Sequence, residues 1–269
     1  MHRARSIKKY FMLTSVTLQT AMAYRVSFLL SFLAGLVQAL VLYYIWRVVF
    51  NDEQVLNGFN LSQMVTYIFI SYAVKNLYGF HTETNISVGI RDGSVATELI
   101  KPLNYQVARF FESLGSVIVE GILIGSLVLL LGVTWFHIES PSTVTASLGF
   151  AISLILSLFI NFSISYIVGL CSFWTTSVFG IVNSKRFIMD FLSGGLVPLA
   201  FFPRWLKNIT FALPFHSVVH APVSIYLGKI TGKEICDVMI TQIVWAVILW
   251  IVGSLLWSRA IRKITIYGG

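Results

Sequence analysis

Long apolar runs separated by charge clusters dominate the chain. No charged residue interrupts Val26–Trp46, Gln54–Val74, Gly121–Ile138, Ser140–Ser184 or Val238–Ser258. A helix needs about 20 predominantly apolar residues to cross a bilayer core, so each of the shorter runs predicts one span. The run Ser140–Ser184 exceeds one crossing at about 1.5 Å per residue; it predicts a span over about 143–172 and the approach to another. Ahead of these, residues 1–25 place Ile7, Tyr10, Phe11, Thr14, Leu18, Ala21 and Tyr24 at helical spacing opposite Arg3, Arg5, Lys8, Lys9 and Arg25. That pattern predicts an amphipathic helix on the inner membrane surface. Without a continuous apolar core or a small-residue cleavage site, the segment is not expected to be a removable signal peptide.

Composition makes lipid the main solvent. The chain is 57% apolar and 11% charged, with a mean hydropathy of +0.81, against about 25% charged in soluble domains. Disordered, collagenous and disulfide-framework classes are excluded, and Cys171 and Cys236, at different predicted depths, are not expected to pair. The net charge of +8 therefore bears on membrane orientation before nucleic acid, which is not an expected partner. Both ends are basic, with Arg259, Arg262 and Lys263 in the tail. If both are cytoplasmic the number of spans is even, and a sixth must lie in the weaker stretch 187–202, broken by Ser193-Gly194-Gly195 and Pro198.

The expected fold is thus an all-α membrane protein of one domain over 1–269. Its six transmembrane helices lie near 26–48, 56–80, 113–134, 143–172, 187–202 and 236–258. The loop 81–112 is inside. The loop 203–233 is outside, and its Trp, Phe, Leu and Ile content predicts that it lies against or dips into the membrane.

The motif search argues against chemistry in this chain. Gly228-Lys229 and Gly232-Lys233 lack the rest of a phosphate-binding loop. Leu192-Ser193-Gly194-Gly195-Leu196 looks like an ATPase signature peptide but lies in a span, where the glycines read as a helix break. His216 and His220, four apart, would share a helix face as in zinc hydrolases, but Ser217 stands where the general base would be; they read as a non-catalytic interfacial pair. Lys75 either snorkels to the inner headgroups or lines a cytoplasmic-side cavity for an anionic or lipid-like substrate, and Glu120 reads as an inner-interface carboxylate. Ser153, Ser157, Asn161, Ser165 and Gly169 repeat every fourth residue along one face of the fourth span. Such a stripe is a helix-packing seam or part of a polar substrate path. Gly121 and Gly125 form a small-xxx-small pair, and Trp46, Trp135, Trp174, Trp205 and Trp257 fit an aromatic belt.

Two stretches are more specific: Ile90-Arg91-Asp92-Gly93-Ser94-Val95-Ala96-Thr97-Glu98-Leu99-Ile100-Lys101-Pro102-Leu103-Asn104 in the inner loop, and Phe202-Pro203-Arg204-Trp205-Leu206, Leu213-Pro214-Phe215, Ala221-Pro222-Val223 and Leu227-Gly228-Lys229 in the outer one. With six spans and basic ends, the chain resembles the membrane subunits of type-2 ATP-binding-cassette (ABC) exporters, particularly stand-alone bacterial half-transporters. The resemblance implies that Arg91 to Asn104 is a coupling helix inserting into a separate ATPase. Asp92, Gly93 and Ser94 would turn and start it, Val95, Leu99 and Ile100 would form its apolar side, and Pro102 before Leu103 would stop it. Arg91, Glu98 and Lys101 are then candidate ion-pair partners. It further implies that 203–233 forms short re-entrant helices at an outer gate punctuated by Pro203, Pro214 and Pro222, with Trp205 and Phe215 among its aromatics.

By the same resemblance the partners are two ABC ATPase subunits, a second permease half, identical or related, and membrane lipid. No cofactor is expected in this chain; ATP and Mg belong to the partner ATPase. The location is the inner or plasma membrane, multi-pass, with both termini cytoplasmic. Two other classes were weighed against this one. A membrane-embedded lipid-modifying enzyme would need clustered His, Asp or Glu near one interface. An autonomous channel or secondary transporter would show inverted repeats or buried coupling-ion carboxylates. The aromatic-rich interior suits an amphiphilic or hydrophobic substrate, and equally suits plain lipid contact.

Overall fold

The computed structural model describes residues 2–23, 25–51, 54–78, 81–175 and 178–263, and is helical, without strands, throughout them. Tyr24 and the side chains of Arg3, Arg5, Ile7, Lys8, Ala21, Arg25 and Glu120 lie outside the described residues. Among the described residues, four helical stretches are long and apolar enough to cross a membrane: Phe32–Val49, Tyr105–Phe136, Val144–Phe173 and Lys233–Lys263. They fall at the first, third, fourth and sixth expected spans.

The first belongs to α2 (Arg25–Val49). The second stretch begins at Tyr105 rather than near 113, and joins α6 (Tyr105–Ser116), a π-helical turn (Val117–Gly121) and α7 (Ile122–Phe136). Its early start follows from the pairing of Arg109 with Glu112 at 2.8 Å and with Glu98, which neutralises charges that read as loop. The others are α8 (Val144–Leu170) and α12 (Lys233–Ala260).

The other two expected spans differ from their sequence boundaries. At the second, α3 runs Leu61–Leu77 rather than 56–80. Asn60 sets its start by a capping box, its side chain accepting from Gln63 N at 2.7 Å; residues 56–59 form a tight turn with Asn57 and Gly58 at positive φ. At the fifth, the helix is α9, Val178–Leu192, not 187–202. Lys185 reads as a polar boundary, yet it points inward to Glu83, and Asp190, within the expected span, meets Lys75, so the helix begins before Lys185, continues through both residues and stops at the glycines.

The region 81–112, expected inside, is folded rather than an open loop. It holds α4 (His81–Arg91), α5 (Ser94–Leu99) and the first turns of α6. In the segment expected outside, α10 (Arg204–Phe211), a 3-10 turn (Pro214–Ser217) and α11 (His220–Tyr226) precede α12.

The core centres on α3, whose residues Met64 to Ser71 are all buried, packed against α2, α7 and α11. Because lipid is as apolar as a core side chain, shape and hydrogen bonding decide which helices associate. The N-terminal helix α1 (His2–Ala23) illustrates this. It packs along α6 where Gly115 has no side chain: a Cβ there would stand 2.7 Å from the Thr14 carbonyl oxygen and from Thr17 Cβ. Thr14 Oγ1 donates to the Phe111 carbonyl at 2.7 Å, and the Tyr10 and Phe11 rings meet Phe111. Part of the face expected on the membrane therefore meets protein, whereas Phe11, Met12, Val16 and Met22 remain exposed.

Candidate functional site

The segment following α4 is a short exposed helix on a stiff base. Asp92 Oδ1 accepts from the Ser94 backbone N–H at 2.9 Å, and Gly93 takes φ +77°, a left-handed turn that favours glycine. The hydrogen bond from Ser94 holds the Asp92 carboxyl below the usual carboxylate range. These contacts start α5, which ends at Leu99 ahead of Lys101-Pro102. Its apolar residues divide: Val95 is buried against its own domain, whereas Leu99 is 38% and Ile100 84% exposed. Arg91, Asp92, Gly93, Lys101 and Pro102 are exposed, and Leu103 is half-buried.

Of the three charges expected to face a partner, Arg91 and Lys101 are thus at the surface, but Glu98 is paired within the chain to Arg109. Arg109 also lies over the Tyr105 ring, which stacks on Trp257 of α12 at 3.9 Å between centroids. Asn104 caps α6 by accepting from Val107 N, and its own N–H donates to Tyr10 Oη of α1 at 3.0 Å. The exposed tip is therefore tied to α1, α6 and α12. Beside it, a cleft of about 180 Å³ opens between α4, α5 and α6, lined by Asn85, Asp92, Glu98 and Arg109 among others.

The stripe on α8 is a buried seam. Ser157 Oγ lies 2.8 Å from the Ser153 and Ser217 carbonyl oxygens, and Asn161 Nδ2 donates to the Tyr78 carbonyl at 3.2 Å. Gln242 of α12 donates from Nε2 to the Ser217 carbonyl at 2.8 Å and to Ser157 Oγ at 3.1 Å. Toward its other end, Ser165 Oγ accepts from Lys185 Nζ at 2.8 Å, and Lys185 Nζ also meets Glu83 Oε1 at 2.9 Å. Ser157, Asn161 and Ser165, with the Ser153 carbonyl, thus hold α8 against α12, the end of α3, α9 and the segment 203–233. Lys75 is not a free snorkelling lysine: Asp190 of α9 holds it at 2.6 Å.

Sequence reasoning missed Glu83, Lys185, Asp190, Arg109 and Gln242 as site residues. A lone glutamine in an apolar span was a usable signal for Gln242, since an amide in lipid needs partners. No local signal connects Glu83 with Lys185, which are 102 positions apart.

The prolines of the segment 203–233 each bound a short element. Pro203 precedes α10, buried Pro214 opens the 3-10 turn, and buried Pro222 lies in the first turn of α11. Trp205 is 65% exposed, whereas Phe215 is half-buried. His216 and His220 do not share one helix, because Val218 and Val219 separate the 3-10 turn from α11, but both rings meet Phe211, at 5.0 and 5.8 Å between centroids. His216 Nδ1 lies 2.8 Å from the Leu213 carbonyl oxygen, and the His220 N–H donates to the Ser193 carbonyl at 2.9 Å.

That last bond belongs to the break after α9. Its non-helical backbone is satisfied by other parts of the chain. Tyr67 Oη donates to the Gly194 carbonyl at 2.7 Å, and the Gly195 N–H meets Ser193 Oγ at 3.3 Å. Gly194 adopts φ +81°.

Residues 36–268 match the description of the ABC-2 family transporter proteins, which covers every element from within α2 to beyond α12. The chain belongs to the ABC-2 transporter family. No curated protein matches it. As an ABC-2 family protein it is the membrane permease component of an ABC transporter, in a system whose ATPase activity lies in a separate subunit. Its apolar helices are then membrane-embedded, and the exposed α4–α5 corner and the buried seam are parts of a transport domain.

Proposed function

We propose that this ABC-2 permease is one half of an ATP-driven exporter, pairing with a second permease half, identical or related, and with two ATPase subunits. Six crossings with both termini inside complete the topology: α3 makes the second, and α9 with the segment after it makes the fifth. The outer prolines bound re-entrant elements that close the pathway. Closure of the ATPase pair around ATP moves the Arg91–Asn104 segment and alternates access for an amphiphilic or hydrophobic substrate, outward.

The observation that carries this reading is the corner at α5. Leu99 and Ile100 project from a helix whose base is fixed by Arg109, Glu98, Tyr105 and Trp257. Two exposed apolar residues on a rigid mount suit insertion into another subunit; a loop resting on lipid would need no such mount.

The test uses the complex in lipid. Ile100→Asp adds a carboxylate where the isolated chain is open, so its own folding should change within about ±0.5 kcal/mol. Buried in a docked interface, the same carboxylate carries a desolvation cost of several kcal/mol. Ile100→Asp and Leu99→Asp should therefore reduce ATPase co-purification and hydrolysis, whereas Asn57→Asp in the outer turn should not. Intact association and hydrolysis in both variants would remove the coupling assignment.

A further inference from the structure

α9 carries two ion pairs, Lys185 with Glu83 and Asp190 with Lys75. Glu83 in the first turn of α4 is fully buried and Lys185 is 6% exposed. Lys185 Nζ stands 2.9 Å from Glu83 Oε1 and 2.8 Å from Ser165 Oγ, while Glu83 Oε2 has no hydrogen-bond partner among the described residues. A buried pair with one oxygen unsatisfied is a poor source of stability, since apolar replacements of similar volume are often neutral or better. Ionisable groups kept among apolar membrane helices point to function.

Their position indicates which function. α4 runs directly into Asp92-Gly93 and α5, so Glu83 sits on the lever carrying the exposed corner. Gly169 of α8 lets that lever approach closely: a Cβ there would stand 3.1 Å from Glu83 Cα. Beyond Lys185, Asp190 holds Lys75 of α3. The far end of α9 is pinned where His220 and Tyr67 bind the Ser193 and Gly194 carbonyls. One helix thus connects the inner lever with the outer segment.

We propose that the Glu83–Lys185 pair is the tie by which movement of α4 and α5 is passed through α9 to the outer segment. Both are positioning residues, and the inference rests on the coupling reading above. The tie is electrostatic for a physical reason. Coulomb attraction falls only as the inverse of separation, so the pair pulls as well as pushes, whereas an apolar contact forfeits much of its attraction within about 1 Å of separation.

The test is made on the permease–ATPase complex in nanodiscs, with Cys171 and Cys236 replaced by Ser and a single reporter from Asn208→Cys on exposed α10. The measurement is the alkylation rate of that cysteine without nucleotide and with ATP and vanadate, beside co-purification and hydrolysis. The otherwise unaltered chain should show a change of about tenfold on trapping. The double variant Glu83→Met with Lys185→Met replaces the pair by apolar volume: it should assemble and hydrolyse ATP, yet lose the nucleotide dependence at the reporter.

A merely structural pair predicts the opposite, an assembled double variant with the full response, and that result overturns the proposal. If the double variant does not assemble, Glu83→Asp decides. It keeps the charge one methylene short, and a full response in it also overturns the tie. A reporter silent in the unaltered complex during hydrolysis does so too, since no motion then reaches α10. Absence of any ATPase from the unaltered chain instead defeats the coupling reading itself.

Discussion

Arg109→Met is the most informative change at the base of the exposed corner. Arg109 holds Glu98 and Glu112 together, with side chains 13%, 22% and 24% exposed. Methionine keeps most of the packing volume but leaves two carboxylates facing one another. Breaking a fully buried pair costs about 3–5 kcal/mol, and an exposed one about 0–1 kcal/mol. At these intermediate exposures the cost is about 2 kcal/mol. The six residues of α5 fall well short of the length at which a helix holds alone, so most of this loss should appear as local opening. About 2 kcal/mol corresponds to about a 30-fold rise in the open population. Hydrogen exchange of the 95–100 amides should accelerate by that factor, with α8 unchanged, and ATPase co-purification should fall alongside. Exchange within about twofold of the unaltered protein, less than 0.5 kcal/mol, would refute the claim that Arg109 mounts the corner.

Three further outcomes follow from the packing and the turn. Gln242→Leu removes a fully buried amide that donates to Ser217 and Ser157; a loss of about 1–2 kcal/mol should lower the thermal midpoint in detergent, and an unchanged midpoint would show the seam to be energetically idle. Gly115→Val places side-chain atoms against the Thr14 carbonyl oxygen, so protease sensitivity between α1 and α2 should rise; protection equal to the unaltered chain would contradict the close packing of α1 on α6. The depressed Asp92 pKa means that its turn is stabilised above the ordinary carboxylate range, and that this contribution is lost as pH falls through the lowered value. Asp92→Asn should remove that acid-range change in exchange at Ser94, and persistence of the change would assign it to another group.

Local pattern and partner choice differ in how far the sequence discloses them. The four-residue repeat on α8 is a property of one helix, and so is the Asp92-Gly93 turn; both are legible without a fold. The partners of that seam are not, because Ser217, Gln242 and Lys185 come from separate elements. Charge-free runs locate helices only where charges mark their ends. Lys185 marks no end, since distant Glu83 neutralises it, and for that reason the fifth helix begins earlier than its sequence predicts. Glu98 shows the same limit at the candidate site: its sequence position beside Leu99 favours outward pairing, but Arg109 one helix away holds it inward.

The central claim, that Leu99 and Ile100 enter a separate ATPase, is most directly tested by photo-crosslinking. A photoreactive amino acid at Ile100, 84% exposed in the isolated chain, should yield an adduct with the ATPase subunit upon irradiation of membranes, identified by mass spectrometry. The same group at Asn208 on α10 should yield none. An intact complex with no ATPase adduct at position 100, or with equal adducts at both positions, would contradict the account.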